Sequence, residues 1–415
     1  MSGTLRTNKG FTLVEMIVVM LIFVIVIGIT GSAFNRIVSQ ALSLTKTAES
    51  NIAGIVGLEL MRSDVEAAGY GLPWSFSQAI VYSEASEVPG IALNYQSDPT
   101  YPGGVLNNLS DPTNSNVPYA IMSTNNVVSA DPTVVFNGSD VLAVRGESLA
   151  TNAASKHWTY IESAVLPNTN PNPVKRLWSA DNLAATDRVV LINPIASLKP
   201  VNQLVVNSTT GVWTTPFNNY TTIGKPPVYS DAEKRSDAYI IYGVDGDTDL
   251  RMPFNRADFY VRRPATSEQG WVRLPQRCNP STGILFKGVV GQASGAYQEM
   301  PLLECVLDMQ VVYELRTPGT KMPTDSSDIS TLSPEQVREQ VKAVKVYILT
   351  HDGGRDRNYT YPNATIGVGP GDGIISGSGS TYNFATSGVP DWQNYRWRVY
   401  QIVARPSNLT GNISH

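Results

Sequence analysis

An uninterrupted apolar run near the amino terminus constrains this chain more than any other feature. From Met16 to Ile27 every residue is apolar, and the mostly apolar stretch extends from Phe11 to Phe34. At a rise of 1.5 Å per residue, a helix of this length covers roughly 36 Å, which is enough to cross a bilayer. The sequence therefore predicts a membrane-spanning helix near its amino terminus.

The residues before the run indicate how this helix is processed and oriented. A secretory signal has a shorter apolar core with a small residue after it, whereas here the small residue, Gly10, precedes the run. Cleavage at Gly10 would leave the helix on the mature protein. Because Arg6 and Lys9 precede the helix, the positive-inside rule places everything after Phe34 outside the inner membrane.

Glu15 is the residue that a plain membrane anchor does not explain. A carboxylate in a membrane helix costs on the order of a few kcal/mol, so it is interpreted as functional and is expected to have a partner. The residues from Gly10 to Glu15 read G-F-T-L-V-E, an order that resembles the type IV pilin and pseudopilin family. The alternative is a signal anchor with a stray acidic residue near the interface.

The resemblance implies how the chain is processed and assembled. Prepilin peptidase would cleave between Gly10 and Phe11, and the new amino group of Phe11 would be N-methylated. Glu15 would then pair with the amino group of a neighbouring subunit during assembly. The implied partners are the inner membrane, prepilin peptidase, and other minor and major pilins.

The helix is predicted to continue beyond the membrane as an amphipathic segment. Gly69 to Pro73 should end it, because glycine can adopt a left-handed cap and proline prevents continuation. The block from Glu59 to Gly71 resembles the signature at this helix end in PilW-type minor pilins. The apolar residues that recur at spacings of three and four are Ile37, Ala41, Leu44, Ala48, Ile52 and Ile55.

Length and composition limit the remaining part of the chain. Of the 415 residues, roughly 345 remain for an exported part, enough for one large or two ordinary domains. The net charge of −4 and the pI near 5.5 argue against a general nucleic-acid surface. Cys278 and Cys305 are the two cysteines, and they are expected to form one disulfide or to remain two buried thiols.

The exported part is predicted to be rich in β-strands. Several segments alternate apolar and polar residues, as antiparallel strands with one buried face do. The fold class is therefore α+β, with a long amino-terminal helix packed on a large, antiparallel, β-dominated region. The clearest predicted strands are 238–243, 259–262, 283–290, 305–315, 343–350 and 396–405.

Five parts are predicted along the chain. They are a leader at 1–10, a transmembrane and assembly helix at 11–34, an amphipathic continuation at 35–70, a β-rich insert or first exported subdomain at 71–236, and a carboxy-terminal PilW-like sheet subdomain at 237–415.

Three carboxy-terminal segments extend the resemblance to PilW-type pilins. They are residues 307–313, 341–346 and 396–400, each predicted to form or open a strand. Between the first two, Ser333 and Gln336 are predicted to form a capping box that begins a short helix.

Asp245, Asp247 and Asp249 form a candidate calcium loop. Alternate carboxylates can converge on one hard cation, and Ca²⁺ prefers such oxygen ligands. The alternative is a hairpin turn in which Asp and Gly suit the turn geometry. Segments 351–356 and 371–373 show weaker versions of the pattern and are predicted to be loops.

No catalytic motif is recognisable, so the chain is not predicted to be an enzyme. Its histidines are His157, His351 and His415, and neither H-E-x-x-H nor C-x-x-C nor G-x-S-x-G occurs. No cofactor is expected beyond the candidate Ca²⁺.

The resemblance and the size of the exported part favour a structural function. We interpret the chain as a PilW-like minor pilin that helps to initiate or cap a type IV pilus, because its bulk would crowd neighbours in the filament shaft. Two alternatives stay open. One is a pseudopilin of a type II secretion system, and the other is a pilus-tip adhesin that binds a surface ligand through residues 75–235.

Overall fold

Two compact units make up the chain, Met1–Ile52 and Ala53–His415. The computed structural model describes residues 12–86, 106, 117–128, 132–133, 135–162, 174–175, 182–195, 201–224, 238–265, 273–316, 319, 322–370 and 379–409. The first unit consists, in its described part, of the long helix α1 (Leu13–Glu66) up to residue 52. The second unit begins with the remainder of α1 and contains every described strand.

The second unit is dominated by β-structure, as predicted. Its described strands are β1 (Ser75–Phe76), β2 (Ile121–Ser123), β3 (Leu142–Arg145), β4 (Trp158–Glu162), β5 (Val174–Lys175), β6 (Arg188–Ile195), β7 (Val201–Leu204), β8 (Thr215–Pro216), β9 (Ala238–Asp245), β10 (Arg256–Arg262), β11 (Gly283–Val290), β12 (Tyr297–Leu315), β13 (Thr324–Ser326), β14 (Val341–Asp352), β15 (Thr365–Val368), β16 (Ser380–Asn383) and β17 (Arg396–Ala404). A short helix, α2 (Pro334–Gln340), precedes β14. Single 3₁₀ segments occur at Glu147–Leu149, Ala154–Lys156, Phe217–Thr222 and Trp392–Asn394.

The described strands form two large sheets and one separate hairpin. The first sheet has the order β1-β7-β6-β9-β4-β5, with β8 also paired to β6. The second has the order β17-β14-β12-β11-β10-β3-β2, with β13 also paired to β12. The hairpin is β15-β16, and the pairing of β1 with β7 is parallel, whereas the other described pairings are antiparallel. The α+β fold class is confirmed.

Both large sheets draw strands from either side of residue 236. β3 lies before this position but pairs with β10 of the second sheet, and β9 lies after it but pairs with β4 and β6 of the first. The predicted division into parts 71–236 and 237–415 stays a prediction, and these pairings link the two parts.

One apolar core joins the end of α1 to both sheets. It contains Met61 and Val65 of α1, Val190 of β6, and Leu285 and Met309 of the second sheet, all fully buried. Ile55, a residue of the predicted apolar stripe, is instead 58% exposed. The buried side of α1 within the described residues of the second unit instead includes Gly54, Gly57 and Leu58.

The end of α1 is closed as the glycines predict. The last residue in the helix is Glu66, and Gly69 has a φ of 79°, a left-handed conformation that glycine adopts without steric cost. The backbone N–H of Gly69 donates to the carbonyl of Arg145 over 2.8 Å. The carbonyl of Glu66 accepts from the N–H of Ser407 over 3.3 Å, so the chain after β17 helps to satisfy the helix end.

Most predicted strands coincide with observed ones, and the main difference is at β12. This strand begins at Tyr297 instead of residue 305 and continues through Cys305, where φ is 58° and the pairing with β11 is irregular nearby. The first half of β12 is largely exposed and polar, so an apolar pattern in the sequence does not reveal it. The alternative prediction of a hairpin after β9 is wrong, because β9 and β10 lie in different sheets.

Candidate functional site

The first turn of α1 is built around Thr12 and Glu15. The carboxylate of Glu15 accepts hydrogen bonds from both the backbone N–H and the hydroxyl of Thr12, each over 2.9 Å. The N–H of Glu15 in turn donates to the hydroxyl oxygen of Thr12 over 3.3 Å. Thr12 is therefore the N-cap and Glu15 the third helical residue of a capping box.

The sequence contains the signal for this capping box, although the sequence analysis does not predict it. Thr12 and Glu15 have the T-x-x-E spacing that defines a capping box. The pilin resemblance gives Glu15 a role in assembly and gives Thr12 none. The structure gives Glu15 a local partner in its own chain.

The helix that follows Glu15 is apolar and uncovered. Within the described residues, Leu13–Phe34 is one stretch long and apolar enough to cross a membrane, and none of it is buried. Its 22 residues correspond to about 33 Å of helix, close to the thickness of a bilayer's hydrocarbon core. So large an exposed apolar surface needs lipid or other helices around it.

The carboxy-terminal part of α1 is anchored on β11 and β12. The carboxylate of Asp64 lies 2.7 Å from the ammonium group of Lys287, and both residues are buried. Burial raises the pKa of Asp64, while Lys287 opposes that rise. Gly57 lies against the backbone of Leu302, so close that a β-carbon would overlap its carbonyl oxygen. The helix is therefore held here by an ion pair and by close backbone contact.

The two residues at the expected cleavage position lie outside the described residues. Gly10 and Phe11 immediately precede the first described residue, Thr12. The role of Gly10 in cleavage and of Phe11 in methylation remains a prediction.

Cys278 and Cys305 form a disulfide in the structure, with a Cα–Cα distance of 4.9 Å. The bond connects the segment before β11 to the middle of β12. The adjacent Asn279 donates its N–H to Nε2 of His351 over 2.9 Å, which ties the same segment to β14.

The three aspartates of the candidate calcium loop do not form a cluster in the structure. Among the described residues, no group of three or more His, Cys, Asp or Glu side chains is arranged to hold a metal ion. Asp249 lies 2.6 Å from the guanidinium of Arg188, and Asp245 accepts from the N–H of Gly246 over 2.7 Å. Asp247 belongs to the same loop, and calcium binding at these three residues stays a prediction without geometric support.

His351 is structural in its surroundings. It is 4% exposed and contacts the rings of Tyr395 and Trp397, with centroids 4.6 and 5.1 Å away. Burial lowers its pKa to about 4, so the ring is neutral at pH 7 and can accept the hydrogen bond from Asn279. His157 lies just before β4, and His415 is outside the described residues.

A buried charge cluster was missed by sequence reasoning. Glu84 lies 2.7 Å from both Arg145 and Arg256, and Arg256 also pairs with Asp258 over 2.6 Å. All four side chains are essentially inaccessible to solvent. Glu84 lies between β1 and β2 in the chain and meets β3 and β10 only in three dimensions, so no local pattern reveals the cluster.

A match to a known family concerns the amino-terminal segment. Residues 5–31 match the family model described as "Prokaryotic N-terminal methylation motif". No curated protein and no solved structure matches the chain. The matched segment includes Gly10, Phe11 and Glu15, and its described part is the start of the uncovered apolar helix. The chain therefore carries a prokaryotic N-terminal methylation motif, which supports a precursor of the type IV pilin or pseudopilin kind.

Proposed function

We propose that this chain is a PilW-like minor pilin that helps to initiate or cap a type IV pilus. The observation that carries the proposal is a methylation motif heading an exposed apolar helix, on a chain with a much larger β-rich unit. Its work is mechanical. The motif and the sheet-rich fold suggest a structural protein and give no support to catalysis.

Processing precedes assembly in this proposal. The precursor sits in the bacterial inner membrane through Leu13–Phe34, with the β-rich unit outside the cytoplasm. Prepilin peptidase removes residues 1–10, and the amino group of Phe11 is then methylated. The helix stays on the mature chain and passes from lipid into a pilus.

Glu15 is the assembly residue in this proposal. Among the described residues of the single chain, Thr12 alone donates to this carboxylate, through two hydrogen bonds. A carboxylate in an apolar environment is stabilised far more by a positive partner than by neutral donors. The free amino group of a neighbouring subunit supplies that charge, so filament entry and neutralisation of Glu15 are coupled.

The size of the second unit supports a position at the end of the filament. Its two large sheets contain seven and eight described strands, all carried by a single helix. A shaft subunit repeats at every step of the helical lattice, so a globular unit of this size would crowd its neighbours there. A tip or initiation position avoids that conflict.

The experiment compares Glu15→Ala with Glu59→Ala in cells that assemble the filament. Glu59 is a matched control, because it is an exposed carboxylate on the same helix outside the apolar span. We expect the Glu15 variant to insert in the membrane and to be cleaved normally, but to be depleted in sheared filaments. The Glu59 variant should behave as wild type.

Three outcomes separate the proposal from its alternatives. Filament incorporation of the Glu15 variant at the wild-type level would contradict the assembly role. If the Glu15 variant loses protein secretion while surface pili remain intact, the result would point to a type II secretion pseudopilus. Substitutions of exposed residues within 75–235 that abolish attachment while leaving the fold and the pili intact would favour a tip adhesin.

A further inference from the structure

A carboxyl group without a partner is enclosed beside the end of α1. Glu147 is the first residue of the 3₁₀ segment that follows β3, and its side chain is inaccessible to solvent. Neither of its carboxyl oxygens has a hydrogen-bond partner among the described residues. Buried carboxyl groups are normally hydrogen-bonded or paired with a cation, so this one needs a physical explanation.

A glycine makes room for the side chain of Glu147. Gly71, which lies just beyond α1, has a φ of 68°, and a β-carbon there would be 2.5 Å from Cγ of Glu147. That distance is too short for two carbon atoms that are not bonded. The same β-carbon would lie 3.2 Å from the ring of Tyr242 in β9. The side chain of Glu147 is therefore packed directly against the segment that leaves α1.

Hydrogen bonds place Glu147 where three parts of the second unit meet. Its backbone N–H donates to the carbonyl of Tyr70, at the end of α1, over 2.8 Å. Its own carbonyl accepts from the side-chain amide of Asn255 over 2.9 Å, and that amide also donates to the carbonyl of Val244 over 3.0 Å. Asn255 leads into β10 of the second sheet, and Val244 belongs to β9 of the first. Glu147 therefore joins the end of α1 to both sheets.

The described groups around Glu147 supply no positive charge. The titratable side chains that interact with it are those of Tyr70 and Tyr242, whose ring centroids are 5.4 Å apart. Burial raises the pKa of both tyrosines, so both are neutral at pH 7. The charged side chains of the adjoining elements are engaged elsewhere or exposed: Glu66 pairs with Arg62, Arg145 and Arg256 pair with Glu84, Asp258 pairs with Arg256, Asp245 accepts from Gly246, and Lys156 is exposed.

This environment favours the protonated form of Glu147. Burial raises the pKa of its carboxyl well above the ordinary value of 4.5, and no neighbouring charge lowers it. A carboxylate here would have neither a cation nor a donor, which is costly in an apolar interior. The folded chain therefore holds this proton more tightly than the unfolded chain does.

We propose that the proton on Glu147 holds the end of α1 against the two sheets, and that its loss in alkaline medium loosens this junction. The carboxylate that forms needs water or a cation, and it can reach water only if the segment around Tyr70 and Gly71 moves away. The stabilising effect of the proton is complete below about pH 4.5, where the unfolded chain is protonated too. It declines as the pH rises toward the pKa of the folded state. The proposal goes beyond the role in a filament, since it uses only residues of the second unit.

The test compares the thermal unfolding of wild type and Glu147→Gln, each as the full chain in detergent, between pH 5 and pH 9. Glutamine has the size and shape of glutamic acid but does not titrate. Asp140 and Asp308 also have raised pKa values, but both chains retain them, so their effects cancel. Glu59→Gln is the matched control, because Glu59 is an exposed carboxylate on α1. Hydrogen exchange of residues 66–74, compared between the chains at the same pH, shows where the fold opens.

We expect the Tm of wild type to fall by several degrees relative to that of Glu147→Gln as the pH rises from 5 to 9. The difference between wild type and Glu59→Gln should stay constant. At pH 9, residues 66–74 should exchange faster in wild type than in Glu147→Gln, and the difference should shrink at pH 6. A Tm difference between wild type and Glu147→Gln that does not change with pH would overturn the proposal.

Infrared spectroscopy keeps the proposal testable if Glu147→Gln does not fold. In wild type labelled with ¹³C at its glutamate side chains, exposed and ion-paired glutamates are ionised at pH 7, so a protonated glutamic acid has a separate C=O band. We expect this band at pH 7 and its loss as the pH is raised. Absence of the band at pH 7 would overturn the proposal.

Discussion

Gly54 and Gly57 lie one turn apart on α1 but differ in what a side chain would meet. A β-carbon at Gly57 would overlap the carbonyl oxygen of Leu302, which is fixed in β12. At Gly54 it would lie 2.7 Å from Cδ1 of Leu303, the movable end of a side chain. The sequence shows two helix-weakening glycines, and only the packing shows which one is required.

Gly57→Ala should therefore destabilise the second unit, whereas Gly54→Ala should not. We expect Gly57→Ala to lower the free energy of unfolding by roughly 1–3 kcal/mol, because the helix must move away from β12. Gly54→Ala should change it by less than about 1 kcal/mol, since the gain in helix propensity offsets a small side-chain shift. Urea unfolding of the full chain measures both, and equal effects would contradict the close contact at Gly57.

His351 should make the fold sensitive to mild acid. Its folded pKa of about 4 lies below its ordinary value near 6.5, so protons bind the unfolded chain more readily. The stability that depends on the neutral ring is complete above about pH 6.5 and is lost as the pH falls toward 4, by up to roughly 3 kcal/mol.

His351→Gln isolates this effect, because it keeps a side-chain acceptor for Asn279 but does not titrate. The comparison is needed because Asp140, Asp308 and Glu147 have raised pKa values and change stability in the opposite direction. We expect the Tm of wild type to fall relative to the Tm of the variant as the pH is lowered from 7 to 4.5. A constant difference over that range would contradict the assignment.

Among the elements, those with local signals were predictable. The capping box of α2 is present as expected, with the N–H of Gln336 donating to the hydroxyl of Ser333 over 3.2 Å. β11 has the predicted bounds, because its mostly apolar run begins at Gly283 and ends at Val290. The assignment of strands to sheets was not predictable, because β3 and β9 find partners far away in sequence.

These crossed strands predict that the second unit does not divide at residue 236. A fragment of residues 53–236 lacks β9, the central partner of β4 and β6, and a fragment of 237–415 lacks β3, which covers β10. We expect each fragment alone to be unfolded by circular dichroism and to be digested rapidly by protease. Mixing the fragments should restore protection.

Independent folding of either fragment would contradict this expectation. It would also favour the division into an insert and a carboxy-terminal subdomain that composition suggests. Residues 53–415 expressed together provide the control, since they retain every described strand and the buried part of α1.

At the scale of the whole molecule, the proposed function rests on a short amino-terminal segment attached to a large β-rich unit. The methylation motif covers 5–31, and no solved structure matches the chain, most of whose described residues belong to the β-rich second unit. The motif was predictable from Gly10 and Glu15, because its chemistry is local in sequence. The buried charge cluster around Glu84 was not, since it joins residues from three distant parts of the chain.

The central claim is that cleavage after Gly10 produces a mature chain whose apolar helix packs against neighbouring subunits. Mass spectrometry of the mature amino terminus tests it most directly, with Gly10→Lys as the variant that should block cleavage. We predict a mature chain that begins at Phe11 and carries one added methyl group, and an uncut precursor for the variant. A wild-type chain that retains residues 1–10 in cells with active prepilin peptidase would contradict the account.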